Sequence, residues 1–260
     1  MTSSEQDEKE MKYRSDSTVE LIDYMGGDNS IVTAARVSTG PNEEDNLYDL
    51  FTESAEGRAL RNAVETAKEK GLIGYLMREK HGSPFEHNSM TFRIETQIFT
   101  AREHMRHRVG FSYNERSGRY SDLLPYFWIP DESRGLQNAG KPAKPELVEG
   151  TYDQKRKVPT TMKLAYTAAW RAYKIMLRLG VANEVARAVL PVGIYTEYYV
   201  TMNLRSALNF IALRVQDENA AHVSRPQKEI QEVALKIEES VAKLFPVAYE
   251  QFVANKRVAP

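Results

Sequence analysis

The chain holds 260 residues, 35 of them basic and 36 acidic, for a formal net charge of -1. This length suits one large domain with a real core, and the charge balance excludes a protein that coats polyanions through its overall charge. The absence of cysteine excludes disulfides, thiolate metal ligands and a cysteine nucleophile. No apolar run reaches the length of a membrane span and the N-terminus lacks a signal-peptide pattern, so a cytoplasmic protein with no membrane partner is expected.

Residues 1–17 are polar and without periodicity, which predicts a disordered tail ahead of a folded domain at 18–258. Val19 and Leu21 mark a strand over Thr18 to Asp23, and Gly26-Gly27-Asp28 predicts a turn. Asp28 or Asn29 is placed to cap a helix through Ile31, Ala34 and Ala35. Glu53 to Lys80 reads as a charged helix interrupted at Gly71, with Leu72, Ile73, Leu76 and Met77 on one face. The clearest strand is Ser89 to Phe99, where Met90, Phe92, Ile94 and Ile98 alternate with Thr91, Arg93, Glu95 and Gln97. Thr100-Ala101-Arg102-Glu103 has the form of a capping box and predicts a helix that starts there and carries Arg106.

Residues 131–157, rich in Gly, Pro, Lys and Glu, predict a long exposed excursion. From Thr161 on the chain reads as helical: Tyr166, Trp170, Tyr173 and Leu177 form one stripe, and Glu184 to Leu190 a shorter helix stopped by Pro191. Leu204, Leu208, Ile211 and Val215 form another stripe, and Ile230, Val233, Ile237, Val241 and Leu244 the last. The fold class is α+β, a single domain with a β-sheet core and a largely helical second half.

The stretch Arg106 to Tyr120 carries the chemistry. Arg106, Arg108, Arg116 and Arg119 stand among His107, Ser112, Asn114, Glu115 and Ser117, interleaved with Tyr113 and Tyr120, and lysine is absent. Arginine is preferred over lysine where a planar fork grips phosphate or carboxylate at two points or stacks on a ring. The segment predicts a pocket wall for an anionic, planar ligand such as a nucleotide.

Arg106-His107-Arg108 followed by Asn114-Glu115-Arg116-Ser117-Gly118-Arg119-Tyr120 resembles the signature of the flavin-dependent thymidylate synthases, written R-H-R, seven residues, Ser. Here Val109 to Arg116 makes eight, an insertion most easily placed near Gly110 and Phe111. Three more segments resemble that family: His81 to His87 its H-x-[ST]-P-F-E-H, Glu184 to Pro191 its E-V-A-R-x-x-L-P, and Asn203 to Arg214 its N-x-R-S-x-x-N-F with a terminal arginine. The likeness spans most of the chain from Val19 on, apart from 131–157 and Val215 to Gln227, the latter longer than the family's usual connection.

The resemblance implies reductive methylation of dUMP to dTMP, with 5,10-methylenetetrahydrofolate as carbon donor, FAD as redox relay, NADPH as reductant, and a homotetramer. By the same resemblance FAD is held at His81, Ser83, Arg106, His107, Arg108, Glu115, Asn203, Arg205 and Asn209, and dUMP by Glu103, Arg106, Glu115, Ser117, Gly118, Arg119, Arg187 and Arg214. Arg214 matches the position that stabilises the ionised pyrimidine, the catalytic role. Two departures bear on the site. Glu103 stands where the family has a glutamine that contacts the nucleotide, so it is a candidate for ligand contact and for closing the capping box. Arg116 replaces a residue that is commonly apolar.

Several residues also have plainer readings. His81, Glu86 and His87 lack the spacing of a zinc site, so no metal is expected, and Glu86 and His87 read as hydrogen-bonded turn residues. Arg205 and Asn209, four apart, share a helix face, while Arg214 lies about half a circumference from Arg205, so the two arginines are expected to serve different parts of a site or different subunits. From the residues alone a second class stays open: a protein that grips single-stranded nucleic acid through its Arg-Tyr segment. The neutral charge and the acidic residues inside the cluster count against a nucleic-acid partner. A related flavin enzyme transferring another one-carbon group to dUMP is the nearer alternative.

Overall fold

The computed structural model describes residues 11–38, 55–141 and 146–260. In chain order the elements are β1 (Lys12–Arg14), β2 (Thr18–Met25), α1 (Asp28–Arg36), α2 (Ala55–Arg78), a 3-10 turn (Ser83–Glu86), β3 (Ser89–Gln97), α3 (Ile98–His104), β4 (Phe111–Glu115) and β5 (Tyr126–Trp128). They continue with β6 (Gln137–Asn138), β7 (Leu147–Val148), α4 (Tyr152–Arg178), α5 (Asn183–Ala186), a 3-10 turn (Arg187–Val189), β8 (Tyr195–Met202), α6 (Leu204–Arg214), α7 (Lys228–Leu244) and α8 (Pro246–Ala254). The α+β class is observed, with one four-stranded sheet in the order β2-β3-β8-β4. Contacts group the described chain into two compact units. The first holds residues up to Val19, Arg93–Arg106 and Tyr113–Tyr199, and the second Glu20–Phe92, His107–Ser112 and Val200–Pro260.

In the first unit the aromatic stripe of α4 is the core, as its spacing predicts. Tyr166, Trp170 and Tyr173 are buried with Met11, Phe127, Ala186 and Ile194, and the Phe127 and Tyr166 rings stack 5.0 Å apart. Burying a large side chain of this kind stabilises by about 1.5–3 kcal/mol, enough for a few of them to order a short segment. Met11 joins this cluster, and β1 pairs parallel to β5 with Tyr13 opposite Phe127. Residues 12–14 of the expected tail are therefore a strand, held by two apolar residues that a charged surrounding hides from composition.

Three expected boundaries shift. Helix α4 begins at Tyr152, inside the stretch read as an excursion, because Thr151 and Gln154 form a reciprocal capping box and Pro159 is accommodated in the helix. Residues 137–138 and 147–148 of that stretch pair as a short antiparallel ladder. The expected helix from Glu184 to Leu190 is one turn of α-helix that tightens to 3-10 before Pro191.

Helix α3 starts at Ile98 rather than Thr100 and ends at His104, so Arg106 lies in the turn beyond it. Thr100 does not close a box with Glu103: its hydroxyl donates to Gln97 Oε1 at 2.9 Å. Gln97 Nε2 in turn donates to the Tyr195 hydroxyl at 2.9 Å, which fixes the turn from strand to helix. On β3 the alternation holds as far as Thr96, with Met90, Phe92, Ile94 and Thr96 all buried; Gln97, read on the polar face, is buried too, and Ile98, read as part of the strand, opens α3.

The second unit is helical. Leu204, Leu208 and Ile211 of α6 and Ile230, Val233, Ile237 and Val241 of α7 are all buried, and α6 and α7 pack on each other. Helix α2 runs unbroken through Gly71, burying Ile73, Leu76 and Met77 against α8; Glu53 lies outside the described residues. Asp28 does not cap its own helix, whose N-cap is Gly27. Its carboxylate instead accepts the backbone N–H groups of Val247 and Ala248, both at 2.9 Å, at the start of α8. A carboxylate there satisfies orphan donors and the positive end of the helix dipole.

Candidate active site

A cavity of about 520 Å³ opens in the first unit. Helix α3 gives it Ile98, Ala101, Arg102 and Met105; the signature segment gives Glu115, Arg116 and Gly118; α5 and the turn after it give Glu184, Arg187, Ala188 and Leu190. Val192, Ile194 and Thr196 complete an apolar side. The cavity thus pairs an apolar wall with guanidinium and carboxylate groups, the combination a nucleobase joined to an anion requires.

The polar groups are held in place. Glu115 Oε1 accepts the Thr196 hydroxyl at 2.6 Å. Arg119 Nε donates to Glu184 Oε2 at 3.0 Å, which holds a side chain of the signature loop against a lining residue. Ser117 shapes the turn: its hydroxyl accepts the Arg119 N–H at 3.3 Å and its carbonyl the Tyr120 N–H at 3.2 Å. A side chain at Gly118 would press on Leu123 at 3.2 Å. Arg116 donates to Glu197 at 2.8 Å, and Glu197 also accepts from Arg93 at 2.6 Å. The Arg93 and Arg116 hydrogen bonds hold the Glu197 carboxyl below its usual range.

The half-buried Tyr113 and the buried Tyr198 tie the motif to its helix. The Tyr113 hydroxyl donates to the His104 carbonyl, and His104 Nδ1 lies 2.8 Å from the Tyr198 hydroxyl. Burial pushes Tyr198 well up, and Tyr113 and Glu115 add to it, so it stays a neutral hydrogen-bonding group.

A second cluster forms in the second unit. Arg214 Nε donates to His107 Nε2 at 3.1 Å, and the His107 ring meets Phe210 edge to face at 4.9 Å. Burial first, and then the Arg214 charge, push His107 down to about 4. At neutral pH the imidazole is uncharged and accepts from the guanidinium, which fixes its tautomer.

Asn203 caps α6 by accepting the Ser206 N–H at 2.9 Å, and the Ser206 hydroxyl donates to the Val109 carbonyl at 2.9 Å. Next to it Gly110, where the extra residue of the signature falls, has φ +71, and a Cβ there would sit 2.1 Å from Ser206 Oγ. Only glycine meets both demands at this point.

Arg205 Nη1 donates to Glu86 at 2.6 Å and Nε to the Pro260 oxygen at 3.1 Å. The hydrogen-bonded reading of Glu86 is what is seen. Gly82 packs on the Arg205 guanidinium so closely that a Cβ would lie 2.4 Å from Cζ, which brings the exposed His81 and Ser83 beside Arg205. Asn209 donates to the Arg205 carbonyl at 2.9 Å. The exposed Arg108 makes no ion pair among the described residues. Exposed imidazole, hydroxyl, amide and guanidinium groups side by side suit the donors and charge that a dinucleotide cofactor such as FAD needs.

Of the expected nucleotide residues, the cavity gathers Glu115, Gly118 and Arg187, with Ser117 and Arg119 on the same loop. Glu103 and Arg106 do not line it, and Arg214 stands in the second unit's cluster. Sequence reasoning left Arg102 and Thr196 without a site role. Arg102 had a readable signal: it lies four residues after Ile98, on the same helical face.

Residues 20–247 match the family model described as thymidylate synthase complementing protein. Among curated relatives, the flavin-dependent thymidylate synthases of Streptomyces avermitilis and Streptomyces coelicolor are 48% and 47% identical over 260 residues, covering all of both chains. That of Tropheryma whipplei is 44% identical over 248 residues, 95% of this chain and 97% of its own. Among solved structures, a UMP/dUMP methylase PolB from Streptomyces cacaoi bound with 5-Br UMP superposes with a TM-score of 0.83 at 42% identity, covering 96% of this chain and 99% of its own. Motif order, cavity chemistry and full-length similarity converge: the chain belongs to the flavin-dependent thymidylate synthase family.

Proposed function

We propose that this protein methylates dUMP to dTMP with 5,10-methylenetetrahydrofolate as carbon donor, FAD as redox relay and NADPH as reductant, working as a cytoplasmic homotetramer. The observation that carries the reading is the first unit's cavity, where an apolar wall faces guanidinium groups contributed by three separate segments. Its support from outside is the 42–44% identical structures of PolB, a UMP/dUMP methylase, bound with 5-Br UMP and 5-Br dUMP. Arg187, Arg119, Ser117 and Gly118 hold the nucleotide phosphate, and Glu115, fixed by Thr196, orients the pyrimidine from the side. Glu103 and Arg106 complete the nucleotide contacts.

His81, Ser83, Arg108, Asn203, Arg205 and Asn209 hold FAD, together with Arg106, His107 and Glu115. The bound cofactor supplies the hydride chemistry, and the protein supplies orientation and charge. Neutral His107 holds the Arg214 guanidinium without competing for its charge, and by the family resemblance Arg214 stabilises the negative charge that develops on the activated pyrimidine, in a site assembled from several subunits. A guanidinium suits this because it stays protonated. With no cysteine in the chain, activation by a thiolate adding to the ring is closed, and electrostatic activation takes its place.

The direct test is product formation. Purified protein given dUMP, methylenetetrahydrofolate, FAD and NADPH should release dTMP, and omission of dUMP, methylenetetrahydrofolate or NADPH, or removal of the bound FAD, should stop it. No turnover, with tight and salt-sensitive binding to single-stranded oligonucleotides instead, would favour the nucleic-acid alternative; a product other than dTMP would favour the related one-carbon enzyme.

A further inference from the structure

We infer that Arg102 is a further phosphate-binding guanidinium of the first unit's cavity, acting with Arg187 and Arg119 on the anionic end of a nucleoside monophosphate. It rests on the nucleotide reading above and adds a residue to it. Ile98, Ala101, Arg102 and Met105 follow one another at three, four and seven residues, so they form a single face of the turn-rich segment around α3, and all four line the cavity. Glu103, one residue and about 100° further round an ideal helix, does not line it.

Charge selects Arg102 among the cations present. Arg116 is bound to Glu197 at 2.8 Å and Arg119 to Glu184 at 3.0 Å. Arg102 and Arg187 line the same cavity and make no ion pair among the described residues. A phosphate monoester carries about 1.5–2 negative charges at neutral pH; Arg119 shares its charge with Glu184, so the two unpaired guanidiniums supply the net charge that matches it, and one alone does not. The side chain is exposed and lines the cavity, so it can meet the ligand without breaking an ion pair. Arg102 thereby sets the preference for nucleoside monophosphate over nucleoside.

The test is calorimetry of dUMP and of deoxyuridine binding to the full-length, FAD-loaded protein, comparing wild type with Arg102→Gln and Arg102→Lys. Losing a charge-assisted contact should weaken dUMP roughly tenfold or more in Arg102→Gln, leave deoxyuridine unchanged, and give Arg102→Lys an intermediate value. Equal weakening of both ligands would show that the wall, not the phosphate, was disturbed, and unchanged dUMP affinity would make Arg102 a solvated surface residue; either overturns the inference. If Arg102→Gln does not fold, as judged by its melting transition, Arg102→Lys decides by the same two ligands. Wild-type protein that binds no dUMP at all would instead overturn the nucleotide reading itself, a different result from any of these.

Discussion

Arg214→Ala should lower dTMP formation by on the order of a hundredfold to a thousandfold while leaving flavin reduction by NADPH close to wild type. Removing one preorganised donor to a developing anion has that typical effect on the step it serves, and the reductive half-reaction needs no activated pyrimidine. The geometry makes the substitution readable. Arg214 is held by His107 at 3.1 Å and ends the helix whose residues Leu204, Leu208 and Ile211 are fully buried. A spectroscopic check accompanies it: His107, now pushed down to about 4 by burial and by Arg214, should titrate closer to its ordinary range in the variant, though below it, because burial remains. Stopped-flow reduction and product formation belong on the same preparation. Equal losses in both, or none in either, would remove Arg214 from the chemistry.

Arg119→Lys should weaken dUMP binding about tenfold, in spite of the conserved charge. The Arg119 guanidinium already donates through Nε to Glu184, and its fork leaves the terminal nitrogens for a second acceptor. A lysine ammonium is a point charge without that planar fork. Paired with Glu184 it presents the phosphate with poorer geometry, and released from Glu184 it leaves a carboxylate facing the ligand. The flanking Ser117 turn is made by backbone and hydroxyl contacts, so the loop itself should survive the change. Unchanged affinity by calorimetry would move the phosphate away from this loop.

Where periodicity is long, the fold was legible. The α4 stripe of Tyr166, Trp170 and Tyr173 and the alternation of β3 are both buried as read, since a regular apolar face has only one place to go. The failures lie where a local contact outweighs the pattern. Thr100 and Glu103 have the form of a capping box, but Gln97, fixed by Tyr195, starts the helix two residues earlier. Thr151 and Gln154 are a working box inside a stretch whose Gly and Pro content suggests none. Tyr13 and Met11 are ordered by partners more than a hundred residues away, which no local window can see.

The candidate site divides in the same way. Glu115, Gly118 and Arg187 come to one cavity although 69 residues separate the latter two. The cavity face of α3 was hidden because its helix was expected to begin later, which took Ile98 out of register with Arg102. Asn203 shows how one residue answers to two demands: its side chain caps α6, a use that the motif match gives no hint of.

The most direct measurement is the absorption spectrum of the purified protein, titrated with dUMP. The account predicts a yellow protein with a flavin spectrum that dUMP perturbs to saturation, while deoxyuridine does so only at much higher concentration. A protein that neither retains nor binds FAD, or whose flavin spectrum is indifferent to dUMP, would contradict it.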